Sequence, residues 1–171
     1  MKTIGMLAAV VAVLMFVVPA GWAQTPDDKE HVELAKALNE AKIPLQRGLT
    51  ASAKEGKPIS AKYEVEDGKL QLSVYTMKGD AFSEVIVDHK TGKVAKAEPI
   101  TKADDLTAAK AQKEAIAKAK RSLATATSEA VKENKGFRAV SVMPSLKEGH
   151  PVADVGLVKG TEWKTVSEKL D

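Results

Sequence analysis

Three histidines, His31, His89 and His150, carry the side chains best suited to bind a metal or move a proton near neutral pH. They fall at a helix start and in two predicted turns, without the close spacing of a metal-ligating motif. Ligands would have to converge from distant elements, so the histidines read as solvent-facing. Asp88-x-x-Thr-Gly92 has a cation-loop flavour but too few oxygen ligands at the right steps, and a hairpin turn accounts for it. The acidic pairs Asp27-Asp28 and Asp104-Asp105 precede helices, where capping and the helix dipole favour carboxylates. There is no Gly-x-Ser-x-Gly, His-Glu-x-x-His, phosphate loop or dinucleotide fingerprint. The chain has no cysteine, which removes disulfides, thiol nucleophiles, thiolate metal sites and the lipid-anchored cysteine of a lipoprotein. The expectation is a non-enzyme with no cofactor and no metal.

The first residues read as a signal peptide. Lys2 is followed by an almost unbroken apolar run from Ile4 to Val18, ended by Pro19. Gly21-Trp22-Ala23 places small residues where a secretory cut needs them, between Ala23 and Gln24. The run is short of the roughly 20 residues of a spanning helix, so no stable membrane anchor is expected after its removal. Cleavage leaves 148 of the 171 residues, with 25 basic against 23 acidic side chains. That balance and the export expectation argue against a nucleic-acid partner. The expected location is periplasmic or secreted.

Hydrophobic periodicity supplies the elements. Asp27 to Lys42 and Leu45 to Lys54 read as helices separated by Pro44. Ile59 to Val65 alternates apolar and polar, and Asp67-Gly68 is a two-residue hairpin signal. Strands follow from Leu70, over Phe82–Val87 and over Val94–Glu98. One long helix is expected from about Thr107 to Asn134, its lysines largely opposite an alanine stripe and solvated. Strands over Phe137–Met143, Val152–Val158 and Glu162–Ser167 complete the chain.

The halves repeat. Lys78-Gly79-Asp80-Ala81-Phe82 aligns with Lys159-Gly160-Thr161-Glu162-Trp163 at an offset of 81, and Lys54-Glu55-Gly56-Lys57 with Lys132-Glu133-Asn134-Lys135 at 78. The difference of three is expected in the turn, with Ser145 to His150 replacing Asp67-Gly68. The fold class is therefore α+β, as two tandem modules. Each would pack a helix or helix pair on its own three- or four-stranded antiparallel sheet, over residues 24–102 and 103–171.

The stretch Glu84-Val85-Ile86-Val87-Asp88-His89-Lys90-Thr91-Gly92-Lys93-Val94 resembles the closing signature of the PepSY domain. Val85, Val87, Asp88, Thr91, Gly92, Lys93 and Val94 fill its places, and the likeness runs from about Ile43 to Glu98. The second half is similar to a diverged copy without that signature. The resemblance implies a small α+β fold found in exported bacterial proteins and in peptidase propeptides. It also implies a protein partner, with a peptidase as the candidate. An envelope interaction protein and a small-ligand or metal carrier are the other classes. Tyr75, Met77 and Trp163 are the candidate partner contacts if exposed, with burial against a helix the equal alternative for Trp163. The protein recovered after export should begin at Gln24, as read by intact mass; retention of residues 1–23 would contradict the leader assignment.

Overall fold

The computed structural model describes residues 28–171, so the expected leader and its cleavage site lie outside the described residues. Helix α1 (Asp28–Ala37) runs into one 3-10 turn (Leu38–Glu40), and α2 (Leu45–Ser52) follows the break at Pro44. Strands β1 (Lys57–Glu66), β2 (Lys69–Lys78), β3 (Ala81–Val87) and β4 (Val94–Pro99) form a meander. Then come α3 (Ala103–Lys118), α4 (Leu123–Glu133), β5 (Arg138–Lys147), β6 (His150–Lys159) and β7 (Glu162–Lys169). The helices pack on an antiparallel sheet, which is an α+β architecture. None is long and apolar enough to cross a membrane among the described residues.

Two separate sheets do not form. There is one seven-stranded sheet in the order β4-β3-β2-β1-β5-β6-β7. β1 and β5 meet antiparallel, with Ala61 opposite Val142 and Lys62 opposite Ser141. Pairing these first strands covers two edges that would otherwise expose unpaired backbone groups.

The second half repeats the first in detail. Adding 81 to the bounds of β1 and β2 gives those of β5 and β6. β1 shifts register between Pro58 and Ser60, and β5 between Ala139 and Ser141, so each carries a bulge at the same place. The hairpin turns match too. Asp67 and Gly68 have φ 49° and 72°, and Glu148 and Gly149 have 52° and 83°. The expected longer turn over 145–150 is therefore corrected to a second two-residue turn. A glutamate rarely takes positive φ, which is why its sequence did not announce the turn. The three extra residues lengthen α4 instead, to 11 residues against 8 in α2.

The single long helix is also corrected. Ala119 is extended, and Ser122 caps α4 by accepting a hydrogen bond from the Thr125 amide. The amides of Lys120 and Arg121 both donate to the Leu170 carbonyl, at 2.6 and 3.0 Å. In the first half those of Lys42 and Ile43 both donate to the His89 carbonyl, at 2.9 and 3.2 Å. Each helix–helix link is thus tied to a residue within two positions of the end of the third strand of its own half.

Side-chain burial follows the same rule. α2 buries Leu45, Gly48, Leu49 and Ser52, and α4 buries Leu123, Ala126, Thr127 and Ala130, each 78 positions on. A Cβ on Gly48 would lie 2.6 Å from Leu72 Cδ2, so α2 sits against β2 as closely as glycine allows. The counterparts of Gly48 and Leu72 are Ala126 and Ala153, both fully buried. The two halves share one close approach between small and large side chains in different ways. Gly48→Ala should destabilise, because overpacking of about 1–3 kcal/mol exceeds the roughly 1 kcal/mol gain in helix propensity. Leu72→Ala alone should cost about 2–5 kcal/mol. In urea titrations the double variant should be at least about 1 kcal/mol more stable than the sum of the singles implies; simple additivity would contradict the contact.

Candidate binding surface

The stretch that carries the family resemblance forms the β3–β4 connection. Asp88 Oδ1 accepts hydrogen bonds from the Lys90 amide at 2.8 Å and the Thr91 amide at 2.7 Å. The Asp88 amide donates to the Lys93 carbonyl, and the Gly92 amide donates back to the Asp88 carbonyl, both at 2.8 Å. Gly92 has φ 75° and lies against the Arg47 stem, a place for glycine alone. The Thr91 and Lys90 amides hold the Asp88 carboxyl below its usual range. The same connection presents the His89 carbonyl to the α1–α2 link. These residues work as a joint: the contacts described for Asp88 are to its own loop, chiefly the Thr91 and Lys90 amides, with the Thr91 side chain and His89 adding to them.

The candidate contacts do not form one patch. Tyr75 and Met77 lie on β2, while Trp163 lies on β7, with β1, β5 and β6 between them. All three are half-buried rather than exposed. Trp163 stacks on His31 of α1 at 4.3 Å between ring centres, which joins the first helix to the last strand. The Tyr75 phenol is pushed above its ordinary range by burial, and further by Glu84, Glu64 and Asp105. Met77 packs against the core opposite Phe82. Tyr63, by contrast, donates its hydroxyl to the Ile43 carbonyl at 2.7 Å, and burial pushes its pKa up to about 12 against the pull of Arg138.

The histidines stay apart. His31 stacks on Trp163, His89 sits in the β3–β4 loop, and His150 Nδ1 lies 3.0 Å from Asp171 Oδ2. Among the described residues no group of three or more histidines and carboxylates is placed to hold a metal. Asp104 and Asp105 occupy the first turn of α3, where the helix dipole favours them, and Asp27 lies outside the described residues.

Lys110 and Lys118 of α3 are exposed. At the surface Lys113 Nζ reaches Asp80 Oδ1 at 2.6 Å and the Gly79 carbonyl at 3.2 Å, and Lys118 Nζ reaches the Gly149 carbonyl at 3.4 Å. α3 thereby spans turns of both halves. A lysine on a helix gives no sequence signal for a distant carbonyl.

Two clefts lie at corresponding places between the halves. One, of about 450 Å³, opens between the end of α2, the start of β1 and the α3–α4 link. The other, of about 370 Å³, opens between the end of α4, the start of β5 and the α1–α2 link. Lys57 and Lys120 line the first, and their counterparts Arg138 and Lys42 line the second. Neither was visible in the sequence, since each is assembled from three separated segments.

No family model matches the chain, and no curated protein matches it. A crystal structure from Clostridium difficile 630, described as that of a lipoprotein by inference, is similar over 77% of this chain and 88% of its own, at 14% identity and a TM-score of 0.44.

The depressed carboxyls have a definite pH consequence. A carboxyl whose folded pKa is lowered stabilises the fold above its unfolded pKa, near about 3.9, and that contribution is lost as pH falls through the folded value. Asp80, Asp88 and Asp171 are all lowered, by Lys113, by the Thr91 and Lys90 amides, and by His150 respectively. Melting temperature should therefore fall below about pH 4. Asp88→Asn should melt lower than the parent at pH 7 and show a shallower acid limb. Parallel curves for the two proteins would contradict the Asp88 assignment.

Proposed function

We propose that this chain is an exported, non-catalytic binding protein of PepSY type, built from two duplicated modules that share one sheet. The partner in this reading is a protein, with an exported peptidase as the leading case, and the action is steric. The observation that carries it is the use of the Val85–Val94 residues as a structural joint. The part of the chain most like the family spends its polar groups on holding loop and helices, so activity falls to the outer surface.

The surface suited to a partner is the β4 edge. Residues 95–99 are exposed, and β4 ends the sheet among the described residues. The Ile100 amide donates inward to the Phe82 carbonyl. Antiparallel alternation then turns the amides of Glu98 and Lys96 inward and that of Ala97 outward, while Ala95 is the extra residue where the register shifts. Pro99 occupies an outward position, where a missing N–H costs the sheet nothing. Ala97 thus offers a donor and an acceptor for an added strand, with a small side chain that leaves room for it.

The test uses the protein lacking residues 1–23 against the exported peptidases of its host. Stoichiometric inhibition of one of them is expected, and Ala97→Pro should weaken it at least about tenfold while leaving the melting temperature within a few degrees. Absence of binding and inhibition across the set would overturn the peptidase reading, and crosslinking to envelope scaffold proteins would replace it.

A further inference from the structure

We propose that the cleft between α2 and the α3–α4 link is a binding site for a single-chain amphipathic anion, with the chemistry of a medium-chain fatty carboxylate. This inference stands apart from the peptidase reading, and neither depends on the other.

The argument begins with the repeat. Corresponding clefts occur in both halves, but their fillings differ. In the second, Phe137 and Val131 occupy the wall. Counting along the strands, the counterpart of Phe137 is Gly56. A Cβ there would meet the Met77 carbonyl oxygen at 2.8 Å, so no side chain fits. The counterpart of Val131, counting along the helices, is Ala53. Without either bulky group the first cleft is the larger of the two, at about 450 Å³ against about 370 Å³, within the range of small-ligand sites.

Its chemistry is two-sided. Leu49, Ile116, Ala119 and Leu123 make an apolar wall, and three of the four lie at least nine-tenths buried. Lys57 and Lys120 stand at the rim, both exposed. No carboxylate lines the cleft. Arg121, the third cation there, is already held by Glu129 and by the Lys169 carbonyl. No ion pair is found for Lys57 or Lys120 among the described residues. An apolar interior under two uncommitted cations fits a chain with an anionic head, the head reaching the lysines and the chain displacing water from the wall.

Octanoate, decanoate and dodecanoate, each below its micelle concentration, would be titrated calorimetrically into the full mature protein. One site per chain is expected, tightening about fourfold per added methylene. Dodecanol should bind at least about tenfold more weakly than dodecanoate. Lys57→Glu with Lys120→Glu should weaken dodecanoate by at least about tenfold, as should Ala53→Phe, which refills the cleft. Lys42→Glu, at the other cleft, should leave it unchanged. No saturable binding, affinity independent of chain length, or equal loss from Lys42→Glu would overturn the site. A further arm uses phosphatidylglycerol vesicles. Binding to vesicles without binding to monomeric dodecanoate would also overturn it, because the attraction would then be to a charged membrane surface.

Discussion

The short antiparallel contact between β1 and β5 governs this architecture. Ala61 stands opposite Val142, which is its own counterpart in the second half. A residue facing its counterpart across two antiparallel strands defines a local two-fold relation, like that in an isologous dimer. Alternation along a strand has a period of two, so slippage by one residue would turn every apolar side chain of one half away from its helices. The buried sets on both sides, including Leu72, Val74 and Val85 in one half and Ala153, Val155 and Leu157 in the other, therefore fix this register. Longer-range contacts reinforce it. Arg138 donates to the Leu38 carbonyl at 2.7 Å and lies over the Tyr63 ring, and His31 stacks on Trp163.

The strands were legible because their alternation is strong and because Asp67-Gly68 and Gly79 are turn residues by backbone necessity. The first helices were legible because Pro44 marks their boundary. Where the reading failed, local preference and tertiary structure disagreed. Alanine and lysine favour helix throughout 107–134, and nothing local outweighs them except the cap at Ser122. The break is fixed from afar, by the Leu170 carbonyl that receives two amides. Glu148 and Gly149 fall inside the expected 145–150 turn, but a glutamate, which seldom takes positive φ, does not announce a two-residue turn; here it takes that conformation in the position held by Asp67. The repeat is visible in the sequence, but its three-residue difference extends a helix where the local pattern points to a loop.

Candidate contact residues were the least legible. Tyr75, Met77 and Trp163 were chosen by type, and type does not say which face of a strand a helix covers. His31 and Trp163 are separated by most of the chain, and no periodicity links them. The clefts are harder still to foresee, since their walls come from helix ends and links that meet only across the seam. The same repeat that organises the fold makes them interpretable. Gly56 against Phe137 and Ala53 against Val131 are differences between equivalent positions, so the open cleft differs from its twin for identifiable reasons.

A single cooperative unit follows from a shared sheet, and native-state hydrogen exchange tests it most directly. With increasing urea, the amides of Leu72 and Val74 in one half and Val155 and Leu157 in the other should converge on one opening free energy, equal to that of global unfolding. If either set exchanged through a separate, lower-energy opening while the other stayed protected, the halves would be independent domains and the account of the seam would be wrong.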